Sequence, residues 1–113
     1  MKQKVLFTDI DFADSEYRSC EMEDTDFTVY LNSWDGKTIR IIFHNTIQFS
    51  YKIYAVVSYV CEITEKNSVL DEALALRYEK IPNDHPYKLF QIIDIDDVPF
   101  IEVVAEGAQA FKE

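Results

Sequence analysis

Residues 26–44, Asp-Phe-Thr-Val-Tyr-Leu-Asn-Ser-Trp-Asp-Gly-Lys-Thr-Ile-Arg-Ile-Ile-Phe-His, constrain this chain more than any other stretch. Two alternating runs flank Trp34-Asp35-Gly36, the pattern of a β-hairpin. Two registers compete. If Asp35-Gly36 alone forms the turn, Leu31 faces Arg40 and Phe27 faces His44, which are poor partners. If Trp34, Asp35 and Gly36 all lie in the loop, Ser33 pairs with Lys37, Leu31 faces Ile39, Val29 faces Ile41 and Phe27 faces Phe43. One face is then wholly apolar, and such cross-strand pairs contribute roughly 0.2–1 kcal/mol each. A slip of one residue would scramble this sorting. The longer loop also suits a type I turn followed by a left-handed residue, with Gly36 at the position of positive φ. The sequence therefore predicts the second register, with strands over 26–33 and 37–43.

Further strands are expected over about 4–10, 17–23, 57–63, 87–94 and 99–105. Cys20 and Met22 should point inward. The alternation Ile47, Phe49, Tyr51, Ile53 reads as a third member of the hairpin's sheet. Residues 55–63 fit helical spacing in part, but their density of β-branched side chains favours strand. One helix is expected over 68–80, with Ser68 as N-cap, Asp71 at N3 and Pro82 as its stop. Leu70, Ala73, Leu74, Tyr78 and Ile81 form its apolar stripe. In the last pair of strands, Ile93 should oppose Phe100 and Leu89 oppose Val104. Gly107 should end the final strand, leaving a tail. The expected architecture is α+β: one domain over 1–113, with a mainly antiparallel sheet of about six strands and one helix packed on it.

A chain of 113 residues is long enough to bury a single core without staples. Cys20 and Cys61 have no CxxC spacing and read as small apolar side chains in a reducing compartment. No apolar run exceeds five residues, far too short for a membrane span, and Asp9 leaves no room for a signal-peptide core. The expected location is the cytoplasm.

The net charge is −10, unevenly spread. Residues 1–26 carry eight acids against Lys2, Lys4 and Arg18; residues 94–113 carry six against Lys112; the middle of the chain is balanced. Such ends repel nucleic acid and anionic membrane surfaces and attract basic partners. If Glu21–Asp26 and Asp94–Asp97 meet in space, one face becomes strongly negative.

Chemical motifs are weak. Asp9-Ile10-Asp11 after an apolar run is similar to the Asp-x-Asp of haloacid-dehalogenase-type phosphatases, but Ala13 stands where Thr or Ser is needed. Asp94, Asp96 and Asp97 lack the partners of an EF-hand: the twelfth residue counted from Asp94 is Ala105, not Glu. His44 and His85 stand alone, outside any metal-ligand spacing. Two glycines in the whole chain leave no phosphate-cradling loop. No catalytic residue, metal site or cofactor is assigned. Tyr30 and Trp34, on or beside the hairpin's polar face, are types that often anchor protein interfaces.

The run Leu-Asn-Ser-Trp-Asp-Gly-Lys-Thr-Ile-Arg-Ile-Ile-Phe, followed by Ile-Asp-Ile-Asp-Asp-Val-Pro-Phe-Ile-Glu-Val-Val-Ala-Glu, resembles small acidic bacterial proteins, some of them immunity proteins of polymorphic-toxin systems. The resemblance spans about 26–106 and implies a non-enzymatic binder. The expected function is thus neutralisation of a basic protein partner. Glu23, Asp24, Asp94, Asp96 and Asp97 would supply charge, and Trp34 and Tyr30 would serve as anchors. The competing expectations are an enzyme or small-ligand carrier with a pocket between helix and sheet, and a homodimer formed through an open sheet edge.

Overall fold

The computed structural model describes residues 2–52 and 56–113. Its strands are β1 (Gln3–Leu6), β2 (Ser15–Glu23), β3 (Asp26–Asn32), β4 (Thr38–His44), β5 (Gln48–Tyr51), β6 (Val56–Ile63), β7 (Lys88–Asp94), β8 (Pro99–Ala105) and β9 (Gly107–Lys112), with one helix, α1 (Ser68–Arg77), between β6 and β7. All pairings are antiparallel. The architecture is α+β and richer in strand than the six expected.

The β3–β4 register is the predicted one: Phe27 opposes Phe43, Val29 opposes Ile41 and Leu31 opposes Ile39. The Ser33 N–H donates to the Lys37 carbonyl at 2.8 Å, and Gly36 has φ +82°. All six of those apolar side chains are buried.

Neighbouring strands run in the order β5-β8-β7-β6-β2-β3-β4-β9, with β1 added beside β6. The two ends of that series belong to the same pair of bent strands. β4 runs into β5 through 45–47, and β8 runs into β9 through Glu106. β4 pairs with β9 while β5 pairs with β8. The sheet therefore returns on itself as a flattened barrel of two layers, β2-β3-β4-β9 and β1-β6-β7-β8-β5. At the bend, Asn45 takes φ +53°, Glu106 N–H donates to the His44 carbonyl and Ile47 N–H donates to the Val104 carbonyl. Ser15 opposite Val57 and Glu16 opposite Val56 join the layers elsewhere.

Between the layers lies the larger core, built on Phe27, Leu31, Ile41, Phe43, Phe90 and Ile101, with Phe12 of the β1–β2 connection inserted into it. A second apolar cluster lies outside the barrel, where Ala73 and Leu74 of α1 cover Cys61, Leu89, Ile93 and Val104. Both faces of β7 are thus buried, which explains its nearly continuous apolar sequence.

Several expectations are corrected. The first strand ends at Leu6 rather than residue 10, because Phe7 takes φ +55° and the chain turns inward. Residues 48–51 do join the hairpin's antiparallel sheet, but beside β8 rather than beside β3 or β4, because the chain bends between 45 and 47; Ile53 lies outside the described residues. Leu89 does oppose Val104, but a register shift places Pro99, not Phe100, opposite Ile93. The expected tail is β9, since the strand bends at Glu106 and continues along β4. Asn67, not Ser68, caps the helix, its Oδ1 accepting from Leu70 N–H at 2.8 Å. The helix stops at Arg77 because Tyr78 turns extended and its ring packs against Tyr87. Ile81 consequently falls outside the buried stripe. Met22 lies on the core side of β2 but is 45% exposed.

Candidate functional site

The seven residues proposed for contact divide into two groups. Trp34, Asp94, Asp96 and Asp97 gather near the β2–β6 junction. Asn32 opposes Glu16, Glu16 opposes Val56, and Ile95 N–H donates to the Val56 carbonyl at 3.1 Å. Cross-strand neighbours lie about 5 Å apart, so Asn32 and Ile95 are within roughly 15 Å of one another. Trp34 stands two residues beyond Asn32, and Asp14 directly precedes β2. A single docking footprint of the usual size covers all of these.

Trp34 is 66% exposed and Ile95 62% exposed. Asp14, Glu16, Asp96 and Asp97 are exposed around them. The hairpin fold explains why Trp34 is displayed: the register uses residues 34–36 as loop, so the indole has no place in the alternation and no core face to join. Asp35 beside it is engaged, 3.0 Å from the Lys112 ammonium. That contact, with the Lys37 N–H adding to it at 3.3 Å, lowers the Asp35 carboxyl from its ordinary value to about 2.

The acidic β7–β8 turn is built by its own side chains. Asp94 Oδ1 accepts from the N–H groups of Asp96 and Val98 at 2.9 and 3.0 Å. Asp97 takes φ +62° and accepts from the Tyr59 hydroxyl at 2.8 Å. Asp94 is therefore a turn-forming residue, and Asp96 projects from the turn with its carboxylate unpaired among the described residues.

Tyr30, Glu23 and Asp24 lie elsewhere, on the outer face of the β2-β3-β4-β9 layer. The Tyr30 hydroxyl donates to Glu21 at 2.7 Å, which raises its pKa, and the Arg18 guanidinium lies 5.5 Å from the ring centroid. Tyr30 is thus part of a polar lattice on its own sheet. The expected meeting of Glu21–Asp26 with Asp94–Asp97 does not occur. The two turns belong to different layers with the core between them, and Glu23 sits seven residues along β2 from Glu16, about 23 Å of extended strand. The amino-terminal acids split instead: those before β2 join the Asp94–Asp97 side, and those at its far end do not.

A cleft of about 500 Å³ opens beside α1, lined by Thr25, Asn45, Ile47, Arg77, Tyr87 and Glu106 among others. Glu106 accepts from the Asn45 amide, which in turn accepts from the Thr25 hydroxyl at 3.1 Å. The sequence hides this cleft because its residues come from five separate segments. Next to it, the helix–sheet contact itself is apolar. Burial pushes the Cys61 thiol up to about 11, so it is protonated and a poor nucleophile at neutral pH. Both cysteines are free thiols. Among the described residues, no group of three or more His, Cys, Asp or Glu is arranged to hold a metal ion, and no helix is long and apolar enough to cross a membrane.

No protein-family model, curated protein or solved structure matches the chain.

Proposed function

We propose that this chain is a non-enzymatic binding protein that neutralises a basic protein partner, as an immunity-type inhibitor does. The observation that carries the reading is the exposed indole of Trp34 within one footprint of Asp14, Glu16, Asp96 and Asp97. Carboxylates steer a cationic partner toward the surface, and a large amphipathic ring then supplies contact area at low entropic cost. The docking surface is centred on the β2–β6 junction; Glu23, Asp24 and Tyr30 fall outside it.

The test is the association rate of a captured basic partner at low and high salt, measured for the native chain and for Trp34→Ala. Steering predicts a rate that falls steeply as salt rises. A buried anchor predicts at least about tenfold faster dissociation for Trp34→Ala. Rates indifferent to ionic strength, with no effect of the substitution, would remove the reading.

The second reading is a small-ligand site in the cleft beside α1, favoured by the convergence of Arg77 and Glu106 on one concave wall. Saturable amide shifts confined to Thr25, Asn45–Gln48 and Arg77 in a screen of small polar acids would support it. Their absence would remove it.

A further inference from the structure

One side of the barrel lacks a strand. β2 pairs with β6 only at Ser15 and Glu16, and a register shift between Tyr17 and Ser19 then carries it away. Beyond that point, Ser19–Glu23 pairs with β3 on one side and has no strand on the other among the described residues. The outer edge of β5 is likewise unpaired among them.

The side chains between these two edges face the core yet remain open to solvent. Met22 opposes the buried Phe27, and Phe49 and Tyr51 oppose the buried Val103 and Ile101. Met22 is nevertheless 45%, Phe49 39% and Tyr51 51% exposed. The rings form a staircase: Phe49 stacks on Phe27 at 4.2 Å, and Tyr51 stacks on Tyr17 at 6.5 Å. In a barrel, residues on this face are ordinarily covered by the next strand.

The opposite face of the same edge is acidic. Glu21 and Glu23 lie on it, with Asp24 and Asp26 at the adjoining turn. Two bases share this face and both are directed back across the sheet: Arg18 over the Tyr30 ring and onto the Thr38 hydroxyl at 3.3 Å, and Arg40 over the Phe111 ring at 5.1 Å. A second copy of this chain does not fit here. Pairing β2 with its own copy would bring two acidic edges together, and like charges across strands destabilise.

We propose that the free edge of β2 at Ser19–Glu23 receives an extended basic segment of a protein partner as an added strand. Alternate apolar side chains of that segment cover Met22, Phe49 and Tyr51, and the intervening Lys or Arg side chains lie beside Glu21 and Glu23. Main-chain hydrogen bonds supply affinity, and the alternation supplies selectivity. The inference rests on the proposed basic partner and adds a second point of attachment, separate from Trp34.

The probe is an acetylated, amidated octapeptide alternating Lys and Val, read by amide hydrogen exchange on the full chain. Its counterparts are a Glu-Val octapeptide and a Lys-Val octapeptide N-methylated at alternate residues. The Lys-Val peptide should slow exchange within Ser19–Glu23, and the other two should not. Replacing Glu21 and Glu23 together, by Glu21→Gln and Glu23→Gln, should weaken binding roughly tenfold without unfolding the chain. Equal binding of the N-methylated peptide, or no protection at 19–23, overturns strand addition. If that occurs while Trp34→Ala still speeds release of the basic partner, this inference falls and the proposed function stands. If neither effect is seen, both fall.

Discussion

Phe49 lies face to face with Phe27, ring centroids 4.2 Å apart and planes 15° apart, although Phe27 is fully buried and Phe49 is not. The contact joins β5 of one layer to β3 of the other, so it ties the bent β4–β5 strand down across the core. Its two members should differ in cost. Phe27→Ala empties a closed site and should destabilise by about 3–5 kcal/mol. Phe49→Ala removes a partly wet ring and its stack and should cost about 1–2 kcal/mol. Urea unfolding of the two variants checks the order; equal losses would mean that β5 is as firmly covered as β3.

Trp34 separates binding from stability. Its side chain is mostly in water, so Trp34→Ala should change unfolding free energy by no more than about 0.5 kcal/mol. Gly36, two residues on, has φ +82° with open space around it. Gly36→Ala should therefore cost about 1 kcal/mol through backbone strain alone. A thermal melt showing Trp34→Ala as the worse of the two would contradict the exposed placement of the indole.

Acid should weaken the closure of the C-terminal strand against the hairpin loop. The Asp35 carboxyl titrates near 2 in the folded chain, below its ordinary 3.8, because Lys112 holds it ionised. A lowered folded pKa gives stabilisation that is complete above the unfolded value and is lost as pH falls toward the folded one. The melting temperature of the native chain should fall between about pH 4 and pH 2 by more than that of Asp35→Asn. Parallel curves for the two would show that the pair adds nothing.

The helix cap offers a test of neighbouring residues. Asn67→Ala removes the acceptor for Leu70 N–H and should cost about 1 kcal/mol. Ser68→Ala, at the first helical position, should cost a few tenths at most. The reverse order in chemical denaturation would restore Ser68 as the cap.

The β3–β4 hairpin was readable residue by residue because one wrong step would have put Arg40 and His44 opposite apolar side chains. The helix cap was expected at Ser68 and lies at Asn67 because Asn and Ser stand side by side and both accept hydrogen bonds. Nothing local in Gly107-Ala108-Gln109-Ala110 announces a strand; β9 exists because β4 offers it an edge. The same holds for the contact residues. Trp34 could be singled out by type and by its place in a turn, whereas the company it keeps depends on which strands lie beside β2.

By itself, the amino-acid order determined the local alternations, the turn chemistry at Gly36, the single helix and the surplus of carboxylates. These follow from side-chain period, φ preference and charge, which act over a few residues. The tertiary structure alone decided that β4 and β8 bend and the sheet returns on itself, that the early acids divide between two sides, and that β2 and β5 leave a row of core-side rings uncovered. Those outcomes depend on pairing between segments dozens of residues apart, and the free energy that selects among such pairings belongs to the assembled core.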